Sequence, residues 1–188
     1  MARLPYPDPA DLPDASRALL EGLPQLNIFR MLAGSGPSFA PFMALINAYL
    51  NEGLLDTELR ELVILRVGHL CGSNYEQHQH RRVSRMIGMS AERIEAAAGP
   101  LPSPLFSDTE NAVLAFTDNQ VANVKADAAL FAAAHKHLGD AGMQELVIIV
   151  GIYLLVCRYL ETLEIDLEET DIPTSGLDEI RRSMKGHD

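Results

Sequence analysis

Tryptophan is absent from the chain, aromatic residues make up only 6% of it, and it has two cysteines. Cys71 and Cys157 each sit within an apolar stretch, and neither has a Cys-x-x-Cys partner. That excludes a disulfide-stapled secreted scaffold and leaves a reducing, cytoplasmic setting as the expectation. Basic residues are scarce as well. Fifteen Lys and Arg stand against 26 Asp and Glu, giving a net charge of −11. Binding to nucleic acid depends on clustered cations that displace phosphate counterions, so no nucleic-acid partner is expected. The same balance disfavours an anionic membrane surface. No apolar run is long: the longest, Leu146 to Cys157, is closed by Arg158. That is short of the about 20 residues a membrane-spanning helix needs, so a buried core helix and no membrane are expected. Met1-Ala2-Arg3-Leu4-Pro5-Tyr6-Pro7 has no apolar stretch of the kind a signal peptide carries.

Alternating apolar and polar segments are also few, which excludes a sheet-rich fold. What remains is long stretches rich in Ala, Leu, Glu and Met, separated by turn clusters, and these predict an all-α chain of about seven to nine helices. A first helix is expected over residues 8–22, then a loop carrying Pro24 and Asn27, then a helix over 37–51. Asp56 is placed to cap a third helix running from Thr57 to about Cys71. Gly72-Ser73-Asn74 breaks the chain before a polar helix over 75–87, and Ser90 caps a short helix ending at Gly99. The Gly-Pro-Leu-Pro-Ser-Pro-Leu-Phe run over 99–106 reads as a packed crossover. Ser107 to Glu110 matches a capping box opening a helix to about Val121. Asp127 opens another, ending near Gly139, and the long apolar helix follows from about Met143 to Leu163. Arg60-Glu61-Leu62-Val63-Ile64 is echoed by Gln144-Glu145-Leu146-Val147-Ile148, which suits a duplicated helical hairpin. The chain reads as one domain over 1–188, with a core over about 20–167 and a charged, frayed tail over 168–188.

The chemistry concentrates around the 72–74 break. Glu61 lies at the edge of a helix that is apolar from Leu62 almost throughout, above Gly68 and Gly72. Two glycines there leave room for a neighbouring helix or a ligand. Glu76 and His80, four apart, share a helical face. A carboxylate beside an imidazole fixes its tautomer and raises its pKa, as a general acid or base requires. The competing reading is an ordinary solvated ion pair. His78 points away from His80, and neither a Glu-x-x-His nor a His-Glu-x-x-His spacing occurs here, so no metal is expected. His69, alone in an apolar stretch, reads as a core histidine. Cys71 reads as a small apolar side chain.

Residues Arg60 to Gly68, followed by Gly72-Ser73-Asn74-Tyr75-Glu76-Gln77-His78-Gln79-His80, resemble the signature of carboxymuconolactone decarboxylase-like proteins. This superfamily also contains the alkyl hydroperoxidase D (AhpD) branch, and Asn27 to Arg30 and the Glu145 helix resemble its longer members. The resemblance implies an AhpD-like helical bundle. In the hydroperoxidase branch a Cys-x-x-Cys pair does the redox chemistry, and those positions fall on Ser73 and Glu76, so both thiols are missing. In the decarboxylase branch His80 would protonate the carbanion left when CO₂ departs, Glu76 would tune His80, and Glu61 would be a second acid/base or supporting group. Ser73, Tyr75, Phe29 and Tyr153 would line the substrate site, and Arg66 would hold a substrate carboxylate.

The expectation is therefore a cofactor-free acid/base enzyme, a lyase acting on a small lactone or carboxylic acid, with His80, Glu76 and Glu61 catalytic. The alternatives are a peroxidase relying on Cys71 and a non-catalytic small-molecule binder or scaffold. The resemblance further implies a homo-oligomer built from dimers or trimers.

Overall fold

The computed structural model describes residues 1–168; the expected frayed tail lies, but for Glu168, outside the described residues. Among those described there are eight α-helices and no strand. They are α1 (Asp14–Glu21), α2 (Asn27–Ala33), α3 (Phe39–Glu52), α4 (Thr57–Leu70), α5 (Asn74–Met86), α6 (Ala91–Ala96), α7 (Asp108–Ala122) and α8 (Ala128–Leu163). The described residues divide into two compact units, one of residues 1–52 with 160–168 and one of residues 53–159.

The first unit holds α1 to α3. Residues 8–22 are only partly α-helical, because Pro9 and Pro13 confine the start to one 3₁₀ turn and α1 begins at Asp14. The expected loop around Asn27 is instead helix α2, a segment too short to show periodicity. It is held by burial of Ile28, Met31 and Leu32 at helical spacing. Its first turn is tied down from afar: the Asn27 backbone N–H donates to Glu168, and the Asn27 side chain donates to the Asp166 carbonyl at 3.0 Å. Arg3 fastens the N-terminal segment similarly, its backbone N–H donating to the Leu163 carbonyl and its guanidinium to Glu164.

The second unit is built around α4, which packs against α5 and α7. Every residue of α4 from Leu59 to Gly68 is buried, charged ones included. The caps expected from sequence are present. Asp56 accepts from the Glu58 and Leu59 N–H groups, Ser90 from Arg93, and Asp127 from Ala129 and Leu130. Ser107 and Glu110 close a reciprocal capping box. The 99–106 crossover is pinned by Asn111, whose amide group bonds to the Ser103 N–H and to the Ser103 and Phe106 carbonyls.

Helix α8 is interrupted at Gly139, whose φ of 65° and ψ of −175° are non-helical. The expected end near Gly139 and restart after it thus match the break, which joins two helical stretches within this span. Over an 18-residue window its mean hydropathy is 2.0, so by length and composition it could span a membrane, though 44% of the window is buried in the protein. A soluble protein's core helix meets the same criterion. The echo of Arg60–Ile64 lies inside this helix, beyond the break, whereas the original opens α4.

Candidate functional site

Helices α4 and α5 meet at a tight elbow. The Ser73 N–H donates back to the Gly68 carbonyl at 2.9 Å and the Gly72 N–H to that of His69 at 3.0 Å. Gly72 takes a φ of +64°, a conformation that an L side chain rarely adopts. Gly68 serves the close approach: a Cβ added there would lie 3.4 Å from Cβ and Cγ of Glu76. The room beneath Glu61 is therefore filled in part by the Glu76 stem.

This elbow brings Glu61, Glu76 and His80 together. His80 Nδ1 lies 2.7 Å from Glu61 Oε2, and its Nε2 lies 3.1 Å from Glu76 Oε1. The two contacts differ in quality. The Glu61 pair is an aligned hydrogen bond, whereas Glu76 Oε1 is buried without an aligned hydrogen-bond donor. Glu61 and Glu76 are 1% and 3% exposed, while the His80 side chain keeps 15% of its exposure. The imidazole is thus the face of the trio that solvent or a ligand reaches. Burial by itself would strip its proton, but the Glu61 and Glu76 carboxylates outweigh that and raise its pKa to about 10. At neutral pH His80 is an imidazolium between two carboxylates.

Tyr153, on α8, sets its ring edge-to-face against His80, with centroids 5.2 Å apart. Burial, Glu76 and Glu61 raise its phenol well above the usual value and the Arg60 guanidinium opposes them, so Tyr153 stays a neutral donor. Arg60, buried at 7% exposure, is the nearby cation that sequence reasoning passed over, although it stands beside Glu61 in the motif. Ser73 and Tyr75 are buried at the start of α5, and the Ser73 hydroxyl oxygen has no aligned hydrogen-bond partner.

Arg66 is committed to structure: Nε and Nη2 donate to the two Asp118 carboxylate oxygens at 2.5 and 2.6 Å, and Nη1 donates to the Ala97 and Gly99 carbonyls. A guanidinium so engaged anchors α4 to α7 and the crossover, and the structure does not bring it to the trio. Phe29 is half-buried on α2 of the first unit, whereas the trio is built wholly within the second. His69, on the last turn of α4, is exposed rather than in the core. An open groove of about 510 Å³ beside the α8 break is lined by Phe131, His135, Asp140, Met143, Gln144, Val147 and Ile148, none of them in the trio. Among the described residues, no group of three or more His, Cys, Asp or Glu is arranged to hold a metal ion.

Residues 37–119, which hold the whole elbow, match the carboxymuconolactone decarboxylase family. Solved structures show the AhpD-like fold at low identity. An uncharacterized peroxidase-related protein from Ralstonia eutropha JMP134, described as an alkylhydroperoxidase AhpD core, superposes with a TM-score of 0.75 at 23% identity. That match covers 89% of this chain and 93% of the other. An uncharacterized peroxidase-related protein from Silicibacter sp. TM1040 gives 0.76 at 16% identity, covering 89% and 92%. The debrominase Bmp8, as a cysteine-to-alanine variant in complex with 2,3,4-tribromopyrrole, gives 0.68 at 19% identity, covering 95% and 96%. No curated protein sequence matches. Proteins with this fold thus carry descriptions of different chemistries, and the fold alone does not select among them.

Proposed function

We propose that this protein is an enzyme performing cofactor-free acid/base chemistry, a decarboxylation or proton transfer, on a small lactone or carboxylic acid. The observation that carries the reading is the His80 imidazolium held between Glu61 and Glu76 with one nitrogen firmly bonded and the other loosely. Glu61 fixes Nδ1–H, which leaves Nε2–H as the proton that can move. A substrate entering on the Glu76 side would take the Nε2 proton onto a carbon bearing developing negative charge. His80 would become the neutral Nδ1–H tautomer, still held by Glu61. A carbanion is basic enough to accept from an acid of pKa about 10, whereas a stable oxyanion of ordinary acidity is not. Glu76, freed of part of its partner's charge, would favour reprotonation of His80 from solvent.

The test is a thermal-shift screen of wild type and His80→Ala against small lactones, keto acids and carboxylated aromatics. A compound that stabilises wild type and not the variant supports the site and names the substrate class. Equal stabilisation of both proteins by every binding compound would refute it.

A further inference from the structure

Beyond Gly139, α8 has two faces. The inner one carries Leu146, Ile149, Val150 and Tyr153, all buried, and sets Tyr153 against His80. The outer one carries Asp140, Gln144, Val147, Ile148, Gly151, Leu155 and Arg158, all exposed. On a helix of 3.6 residues per turn these positions fall within a sector of about 100°. No charged residue occurs between Glu145 and Arg158, so the middle of the outer face is bare hydrocarbon. Val147 and Ile148 are each 40% exposed there, and Leu155 is 49% exposed. Gly151 lies at its centre. A Cβ added to Gly151 would meet nothing within 4 Å, so packing inside this chain does not call for a glycine, although glycine weakens a helix interior. The two ends of the face carry opposite charges, Asp140 at one and Arg158 at the other. Asp140 meets His135 Nε2 through Oδ1 at 2.6 Å, which leaves Oδ2 for a second donor. The open groove beside the break runs along the Asp140 half.

We propose that this face is an interaction surface for a second copy of the chain, the two α8 helices pairing antiparallel about a twofold axis at Gly151. In such a pairing one patch must complement itself when reversed. Reversal about residue 151 sets Leu155 of one copy opposite Val147 of the other. It sets Arg158 opposite Gln144, one helical turn from Asp140. Apolar side chains then meet apolar ones, and each Arg158 comes within reach of the other copy's Asp140. The groove lined by Phe131, Met143, Gln144 and Ile148 receives Leu155 and Arg158 of the second copy. At the centre, two glycines let the backbones approach closely. A chain of net charge −11 repels its own copies in general, and this face sets no like charges against each other. A bilayer does not match it: the bare stretch from Val147 to Leu155 is about 12 Å long, against about 30 Å of hydrocarbon.

The experiment measures the mass of the full chain by sedimentation equilibrium over a range of concentrations. Wild type should contain an even number of copies. Leu155→Glu, which sets a carboxylate in the bare centre, should halve that mass and leave the circular dichroism unchanged. Asp140→Arg meets Arg158 of the second copy with a like charge and should raise the dissociation constant about tenfold or more. Adding Arg158→Asp to it should restore association. Under mild oxidation Gly151→Cys should link two chains above the wild-type level. Gln144→Cys, about 21 Å along the axis from its own counterpart, should not. A wild type that is monomeric or odd in number, a mass unmoved by Leu155→Glu, or no rescue by the double charge reversal overturns the proposal. Equal cross-linking of Gly151→Cys and Gln144→Cys means parallel helices and overturns it too. Phosphatidylcholine vesicles that sediment wild type but not Leu155→Glu would overturn it in favour of a membrane. None of these readouts needs a substrate, and the acid/base reading stands or falls separately.

Discussion

Glu61 near the start of α4 and Glu145 in the middle of α8 begin the same Glu-Leu-Val-Ile run, and both are buried, at 1% and 5% exposure. Their partners differ. Glu61 accepts from an imidazolium, whereas Glu145 accepts from two backbone N–H groups, those of Leu54 and Leu55, at 2.6 and 3.0 Å. The first arrangement holds a proton that can be given away. The second holds protons that cannot, and it fixes the strand of chain entering α4. Identical local sequence therefore yields a carboxylate bonded to a histidine in one place and a clamp on backbone N–H groups in the other, decided by what the fold sets opposite each.

The comparison breaks most sharply by removing the groups opposite. His80→Gln takes away the transferable proton and keeps a side chain of similar size. Turnover of the substrate class found by screening should fall by about 10²–10⁴, the range for general acid–base catalysis. Circular dichroism should show the helices intact. Glu145→Ala should do the reverse, leaving ligand response in place while exposing the Leu54 and Leu55 N–H groups to loss of their acceptor. Stranding the buried Leu55 donor costs about 1–3 kcal/mol, with the part-buried Leu54 donor adding less, read as a lower urea midpoint. If His80→Gln unfolds the protein and Glu145→Ala abolishes ligand response, the assignment of roles is inverted.

A smaller effect follows from pH. The folded pKa of His80, about 10, lies above its ordinary value of 6.5. Its contribution to stability is thus complete below about pH 6.5 and is lost as pH rises through about 10. Urea midpoints measured between pH 6.5 and 10 should decline. Glu61→Gln, which removes one of the two carboxylates, should flatten that decline, whereas Glu145→Gln should leave its slope unchanged. Parallel slopes in wild type and Glu61→Gln would mean that His80 draws its proton affinity from elsewhere.

How much of this was legible in sequence depended on reach. Asp56, Ser90, Ser107 and Asp127 act on N–H groups two or three residues ahead, so the helix starts they mark were readable. Glu76 and His80 were readable as helical neighbours. Asn27–Ala33 was not: in so short a segment no period repeats, and its N-terminus is held by Asp166 and Glu168 from the far end of the chain. The same reason hid the partner of Arg66. The resemblance gave this cation to a substrate carboxylate, and only the fold sets Asp118 against it. Glu61 was noticed, but its direct bond to His80 depends on how tightly the elbow turns.

Gly68 offers the finest division between site and scaffold. Replacing an interior helical glycine by alanine gains up to about 1 kcal/mol of helix propensity, and the new Cβ would meet the Glu76 stem at 3.4 Å, at the tight edge of ordinary contact. The two effects act on different quantities. Propensity raises the melting temperature of the whole unit, while displacement of Glu76 acts only on its distance from His80 Nε2, already 3.1 Å and unaligned. Gly68→Ala should therefore change stability by less than about 1 kcal/mol while lowering the His80 pKa, because one of the carboxylates that raise it moves away. NMR titration of the imidazole reads the second quantity directly. An unchanged His80 pKa together with a higher melting temperature would show that α5 yields to the methyl group as a rigid body. In that case Gly68 would serve only the packing of α4 against α5.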